Sequence, residues 1–455
     1  MLAEDELVAQ LQAQAARPVS SVTRERTAQA LLDWFTAGWS GSEMPLAARY
    51  RATAEAAFPG GGAAPVLGGG ALTPLGAGFA NAAIAHLREI DDAHRAAMLH
   101  PGVVAISPVV ALAAERTLTQ RQMIAGIVAG YETALRLGHA LGTRHAALFH
   151  ATATAGAVGA AAACAVAMGL PAQQLHAALG IGATQSAGLW QLVDDEAHEA
   201  KSLHPGFAVR NGMMAAWSAR AGLPGARAFM TGPRGLYALL SGEGPIEVVA
   251  TGGADDLINT TTVKAWPTCA QIFTPLDALK ALMDEHPLSA ADVAAIDVTI
   301  FPHALKIAGV DWPTKAAETP FCLRYAVSAL LLNGQLGIAE MEQPRLDDAA
   351  LLELARKVRV ATSDEFQRAF PERRPAEVTV TMADGRVLTA RRDLRRGDPE
   401  DPFDWPQLQD RMRAFAPQMN DASARLITTW CEAFADPAND GQLCRPLPAL
   451  FGPND

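Results

Sequence analysis

The sequence predicts a mainly α protein, with a large all-α helical domain and a smaller α+β domain. Three observations carry this expectation. Half of the 455 residues are apolar but only 6% are aromatic, and alanine is conspicuously frequent, a mixture that favours closely packed helices over a β-sandwich. Up to about residue 265, alanine-rich segments repeat apolar residues with a helical period. Beyond it, Val293–Phe301 and Ala376–Met382 read as strands, and Ala383-Asp384-Gly385 reads as a hairpin turn.

The helical segments fall around 25–38, 45–58, 76–92, 103–116, 120–141, 151–169, 171–188 and 206–222. Thr119 before Gln120–Gln122 and Pro171 are start signals. The glycines at 60–62 and 68–70 flank a short Pro-Val-Leu segment and read as a loop or small hairpin. From Ala146 to Val193 there is no Asp, Glu, Lys or Arg, and 151–170 reaches the length of a membrane span. It is built from Ala, Gly and Thr, however, and Gly169-Leu170-Pro171 ends it, so a buried central helix is expected. After 265, helices are expected at 274–285, 319–333 and 348–357, with a returning strand at Arg386–Ala390. Arg396-Gly397-Asp398-Pro399 and Asp401-Pro402 mark a linker, followed by helices at about 405–416 and 421–435. The expected division is 1–265 all-α, 266–400 α+β, and 401–455 returning to the helical domain, with a cleft between the domains as the usual place for a small ligand.

There are 37 basic and 48 acidic residues, a net charge of -11, and no Lys/Arg-rich block. Nucleic acid and anionic membrane are therefore not expected partners. Five scattered cysteines without a CxxC pair speak for a reducing compartment. The acidic N-terminus lacks the pattern of a signal peptide, so a cytoplasmic location is expected. No P-loop, dinucleotide fingerprint, nucleophile elbow, HExxH or EF-hand occurs, and neither metal nor nicotinamide chemistry has support.

Four polar clusters interrupt these apolar surroundings. His86, Glu89, Asp91 and Asp92 precede His100-Pro101-Gly102, and paired carboxylates beside histidines suit proton transfer. The same residues also read as a solvated helix end with a capping histidine. His150 stands directly before a long apolar helix, where free N–H groups can bind an anion, or where it serves as a cap. Lys201, His204 and Arg210-Asn211 gather basic charge that suits a carboxylate clamp. Arg210 reads equally as a partner for the Asp194-Asp195-Glu196 run. Lys264-Ala-Trp266-Pro267-Thr-Cys269 sits at the expected domain junction. Tyr325 lies on an apolar helix, a setting as suited to a core residue as to an acid.

Taken in order, these pieces resemble the MmgE/PrpD family, which includes 2-methylcitrate dehydratase, cis-aconitate decarboxylase and iminodisuccinate epimerase. The resemblance is carried by Ala80-Asn81 through His86 and Asp91-Asp92, by His100-Pro101, Gly130-Tyr131-Glu132, Phe149-His150 and Thr154-Ala155-Gly156. Lys201-Ser-Leu-His204-Pro-Gly206, Lys264 through Cys269, and Phe321 through Tyr325 continue it. It implies a helical domain with an α+β lid domain, a homodimer built on the helical domain, and chemistry without cofactor or metal. It also implies a catalytic set of His100, His150, Lys201, Lys264, Tyr325, Asp91 and Asp92, with Lys201, Lys264, His204 and Arg210 binding substrate. Three positions depart from the family pattern. Glu89 stands where relatives often have Asp, Ala93 where decarboxylase-like members carry Thr, and Phe273 where many carry His.

The implied activities share a carbanion or enolate next to a carboxylate. The leading expectation is a lyase of the 2-methylcitrate dehydratase kind acting on a small polycarboxylate. The alternatives are an epimerase, a cis-aconitate-type decarboxylase, and a non-catalytic polycarboxylate-binding protein. An acidic chain can still serve an anionic substrate, because a low-dielectric cleft focuses the field of a few converging cations. The cleft is accordingly expected to be electropositive.

Overall fold

The computed structural model describes residues 2–195, 197–241, 256–370 and 372–452. In chain order the first helices are α1 (Ala3–Ala16), α2 (Ser21–Ser42), α3 (Pro45–Ala57), α4 (Pro74–Ala85), α5 (Pro101–Glu115) and α6 (Gln120–Leu148). They are followed by α7 (Ala151–Ala167), α8 (Ala172–Ala183), α9 (Gln191–Asp194) and α10 (Leu203–Arg220). The short strands β1 (Ala64–Pro65) and β2 (Ala71–Leu72) pair antiparallel between α3 and α4, so the glycine-flanked segment is a small hairpin. Then come α11 (Phe273–Glu285), α12 (Pro302–Ile307), α13 (Leu323–Asn333), α14 (Ile338–Glu342), α15 (Ala349–Lys357) and α16 (Asp364–Ala369). Helices α17 (Trp405–Phe415) and α18 (Asp421–Glu432) complete the set. The fold is mainly α with a smaller α+β part, as the sequence predicts.

The chain divides into two compact units, with Thr262–Pro417 inserted into a first unit made of the chain on either side. The sequence predicts these boundaries at 265 and 400. The difference is α17, which packs within the inserted unit. Arg411 donates Nε to the Lys264 carbonyl at 2.6 Å, and Gly337 abuts the Ala414 carbonyl. The chain returns to the helical unit from Gln418, with α18, where Phe35 of α2 meets Trp430 edge to face.

In the first unit every residue of α7 is buried. The helix packs against α6 and α10. Small residues make this possible. A Cβ added to Gly130 would sit 2.7 Å from Ala105 Cβ and 2.9 Å from Ala163 Cβ, and one on Gly212 would sit 2.5 Å from Ala160 Cβ. Alanine richness thus converts directly into close helix–helix approach. Thr119 caps α6 through Gln122 N–H, with Gln122 reaching back, which is the capping box its spacing predicts. Gly142, at φ 74°, breaks α6 one residue after the predicted end, and a single left-handed residue of this kind favours glycine. Among the described residues, no helix is long and apolar enough to cross a membrane.

The second unit is built on a four-stranded sheet in the order β5-β4-β6-β7, with β3 (Leu118–Thr119) and β8 (Leu443–Cys444) pairing elsewhere. Its strands are β4 (Val293–Ile300), β5 (Val358–Thr362), β6 (Ala376–Met382) and β7 (Val387–Arg392). β4 runs parallel to β5 and antiparallel to β6. β6 alternates buried and half-buried residues along its whole length, the period of a one-sided sheet. Its inner face packs with Leu276, Leu279, Leu330 and Tyr325 in one apolar cluster.

Candidate active site

The loop between α4 and α5 assembles the site. His86 ends α4, and the chain returns through a bridge between His94 and Leu99 to reach His100, the residue before α5. Two non-glycine residues of this loop, Glu89 and Met98, have φ of 53°. Such left-handed residues are uncommon outside glycine and mark a loop held by its surroundings.

The two adjacent acids of the loop face different partners. Asp91 Oδ2 lies 3.0 Å from His86 Nδ1 and 3.1 Å from His100 Nδ1. Burial alone would raise the Asp91 pKa, but the two histidines outweigh it and hold the carboxyl well below its ordinary range. Asp92 instead accepts the Gly102 N–H at 2.8 Å, in the first turn of α5, and the Tyr131 hydroxyl at 2.7 Å. Burial and the charge of Asp33 push it up to about 7, against those two hydrogen bonds. One acid thus orients histidines, and the other anchors the helix that carries His100.

His150 comes from the junction of α6 and α7. Its backbone N–H donates to the Gly188 carbonyl at 2.8 Å, and the neighbouring bridge between Phe149 and Leu189 lays the segment after α8 alongside. This brings Trp190 against the His150 ring, with centroids 4.7 Å apart. His86 stacks on His150 at 5.5 Å, and His100 meets His86 edge to face at 4.7 Å. His204, in the first turn of α10, places Nδ1 3.2 Å from His150 Nδ1. Burial, then Lys201 and the other histidines, hold His150 well below its ordinary pKa. Burial, His86 and Lys201 lower His204 to about 4. Both rings are therefore neutral at physiological pH. Lys201 extends Nζ to 2.5 Å from Glu89 Oε1 and stands 5.9 Å from the Trp190 ring centroid.

The structure therefore gathers Asp91, His100, His150, Lys201 and His204 of the expected set, and adds His86, Glu89 and Trp190. The sequence marks His86 and Glu89 as part of a polar cluster suited to proton transfer, but neither belongs to the catalytic set that the resemblance implies. Trp190 lies in a segment whose sequence carries no motif. Arg210 is directed elsewhere: its guanidinium covers Phe207 at 4.9 Å and bonds to Asn211 Oδ1. The alternative pairing with the Asp194-Asp195-Glu196 run includes Glu196, which lies outside the described residues.

Lys264 and Tyr325 belong to the second unit. Lys264 is buried, with its backbone carbonyl held by Arg411. Tyr325 is buried too, its hydroxyl donates to the Glu340 carbonyl, and burial pushes its pKa up to about 12. Phe273, which replaces the expected histidine, is fully buried at the start of α11, with Arg395 6.0 Å from its ring centroid. Nearby, Trp266 donates Nε1–H to Asp277, whose carboxyl burial raises to about 6.

His86, Asp91 and His100 offer three ligating atoms within 4.8 Å of one another, enough to hold a divalent ion. The same geometry is equally that of a carboxylate accepting from two imidazoles. Chemically, the cluster combines an ionised carboxylate that fixes two imidazoles, neutral imidazoles able to take a proton, and an ammonium able to hold an anion.

Comparison with known proteins agrees in both units. The family model for the MmgE/PrpD N-terminal domain matches residues 6–249, and that for the MmgE/PrpD C-terminal domain matches residues 266–431. The chain is 26% identical over 432 residues to a cis-aconitate decarboxylase of Aspergillus terreus, covering 89% of this chain and 87% of that one. It is 24% identical over 360 residues to the cis-aconitate decarboxylase of Homo sapiens, covering 76% and 74%. The cis-aconitate decarboxylase of Mus musculus is 25% identical over 376 residues, covering 78% and 75%.

Proposed function

Because the chain belongs to the MmgE/PrpD family, we propose that it is a lyase acting on a small polycarboxylate, most closely a hydro-lyase of the 2-methylcitrate dehydratase kind that works without cofactor or metal. The observation that carries this reading is the pairing of unlike histidines. His100 is held by the ionised Asp91, while His150, 6.5 Å away between ring centroids, is kept neutral by burial and by Lys201. Elimination of water needs both a base for the C–H proton and an acid for the leaving hydroxyl.

Lys201 holds a substrate carboxylate and stabilises the charge that develops on it as the α-proton leaves. Neutral His150 accepts that proton, and the electron pair left on carbon forms the double bond. As the C–O bond breaks, His100 delivers a proton to the departing oxygen, which leaves as water. Asp91 orients His100 through Nδ1 and stabilises the positive charge on its ring. The resemblance adds Lys264 as a second carboxylate ligand and Tyr325 as a further proton donor. It also implies a cytoplasmic homodimer through the helical domain; exposed Phe207 and Met214, one heptad apart on α10, are apolar surface that suits such contact.

A second reading is decarboxylation, favoured by the names of the similar proteins. It uses the same carbanion, formed by loss of carbon dioxide and then protonated. Ala93, where decarboxylase-like members carry threonine, weighs against it. Proton NMR of 2-methylcitrate, citrate, cis-aconitate and iminodisuccinate incubated with the protein in D₂O tests the proposal. A new olefinic signal from a hydroxy acid supports the hydro-lyase, and an olefinic product shortened by one carboxyl supports the decarboxylase. Deuterium at the α-carbon of an unchanged skeleton indicates epimerisation instead, and no change with any acid would leave only binding.

A further inference from the structure

His150 and His204 face each other through the same ring atom. Their Nδ1 nitrogens lie 3.2 Å apart, with ring centroids 5.3 Å apart. A neutral imidazole carries one N–H and one lone pair, so a hydrogen bond between two such nitrogens needs the proton on one Nδ1 and not on the other. The two rings are therefore opposite tautomers. Burial decides which is which. His150 is 3% exposed, and among the described residues its Nε2 has no hydrogen-bond partner. A proton on that Nε2 would leave the donor of an almost enclosed ring unpaired, whereas a proton on Nδ1 is received by His204. His204, in the first turn of α10, is only half-buried, so solvent access lowers the cost of the N–H on its own Nε2. Trp190 holds both rings in place. Its Nε1–H donates to the Ala146 carbonyl at 2.8 Å, and its indole lies 4.7 Å from the His150 centroid and 6.4 Å from that of His204.

We propose that His204 is a positioning residue: by accepting the Nδ1–H of His150 it fixes the tautomer that leaves the His150 Nε2 lone pair free to act as the base. The inference rests on the reading of His150 as the proton acceptor. When Nε2 takes a proton from substrate carbon, His150 becomes an imidazolium, and its Nδ1–H bond to His204 becomes charge-assisted and stronger. His204 thus contributes more as the proton moves than in the resting complex, which acts on kcat rather than on KM. A direct substrate ligand, the role that the resemblance implies for His204, would act first on KM.

The test joins a spectrum to kinetics. Two-bond ¹H–¹⁵N correlation of protein labelled with ¹⁵N-histidine separates protonated from unprotonated ring nitrogens at neutral pH. Loss of signals in His150→Gln and His204→Leu assigns the two rings. The expected wild-type spectrum shows the proton of His150 on Nδ1 and that of His204 on Nε2. His204→Leu should mix the His150 tautomers. It should also lower kcat at least about tenfold on whichever acid the wild type converts, with a smaller change in KM. Asparagine can present Oδ1 where Nδ1 stands, so His204→Asn should restore the tautomer and recover most of the lost rate. A wild-type His150 protonated on Nε2 overturns the proposal, and this reading does not depend on any variant folding. An unmixed His150 tautomer in folded His204→Leu overturns it too, as does a loss confined to KM. Conversion of none of the acids counts against the lyase reading alone, and the spectra still decide the role of His204.

Discussion

Asp91 and Asp92 are consecutive, yet their carboxylates act on different structures: Asp91 lies within 3.1 Å of the ring nitrogens of His86 and His100, while Asp92 holds Gly102 and Tyr131. The loop that places them back to back separates the orientation of the histidines from the anchoring of α5. The two acids should respond differently to the same substitution.

Asp91→Asn should keep the fold and lower kcat/KM by about 10²–10⁴-fold, the range a positioned acid–base group contributes. The folded pKa of Asp91 is depressed, so its stabilising effect is present above the unfolded value of about 3.9 and lost as pH falls through the folded value. Urea unfolding at a series of pH values should therefore show the difference between wild type and Asp91→Asn shrinking only in strong acid. A constant difference would contradict the ion pairs.

Asp92 carries the opposite sign. Its folded pKa, about 7, lies above the unfolded one. Its contribution is fully present below about pH 4 and lost as pH rises through about 7. Relative to Asp92→Asn, the wild-type protein should lose stability between pH 4 and 8, at roughly 1.4 kcal/mol per unit of difference in pKa. Asparagine can keep the Gly102 bond through Oδ1 and can donate Nδ2–H to the Tyr131 oxygen in place of accepting from it, so activity at neutral pH should fall far less than in Asp91→Asn.

The neutral histidines set the pH dependence of turnover. His204 is lowered to about 4 and His150 is held well below its ordinary value, so the acid limb of kcat/KM should lie well below the ordinary histidine range. An acid limb near 6.5, the ordinary histidine value, would show that neither ring is desolvated as described.

Helix packing can be tested away from the site. Gly130→Ala places a methyl 2.7 Å from Ala105 Cβ and 2.9 Å from Ala163 Cβ, so both helices must give way. The expected cost is about 1–3 kcal/mol by chemical denaturation. Gly441→Ala, whose added Cβ meets nothing within 4 Å, should change stability little.

Most of this fold was legible because its signals are local. The Thr119 capping box, the break at residue 142, the charge-free α7 and the alternation of β6 each report directly in a few neighbouring residues. What escaped was non-local. Strand β5 follows α15 without a break, and only two of its five residues are less than exposed, so its identity depends on pairing with β4. Helix α17 looks like any amphipathic helix, and its place in the inserted unit rests on Arg411 and Lys264, 147 positions apart. In the site, His100, His150 and Lys201 stood out as polar interruptions of apolar sequence. Trp190 did not, because an aromatic in a loop without a motif says nothing of the histidine it will cover. The separate roles of Asp91 and Asp92 were equally invisible, since the backbone turn between them decides which way each points.

The most direct test is the turnover of whichever polycarboxylate the wild-type protein converts, measured for His150→Gln and Lys201→Ala alongside their circular dichroism and Tm. The account predicts that both variants keep a wild-type fold and lose at least about a hundredfold in turnover. Near-normal rates in both folded variants would contradict the assignment of the chemistry to this cluster.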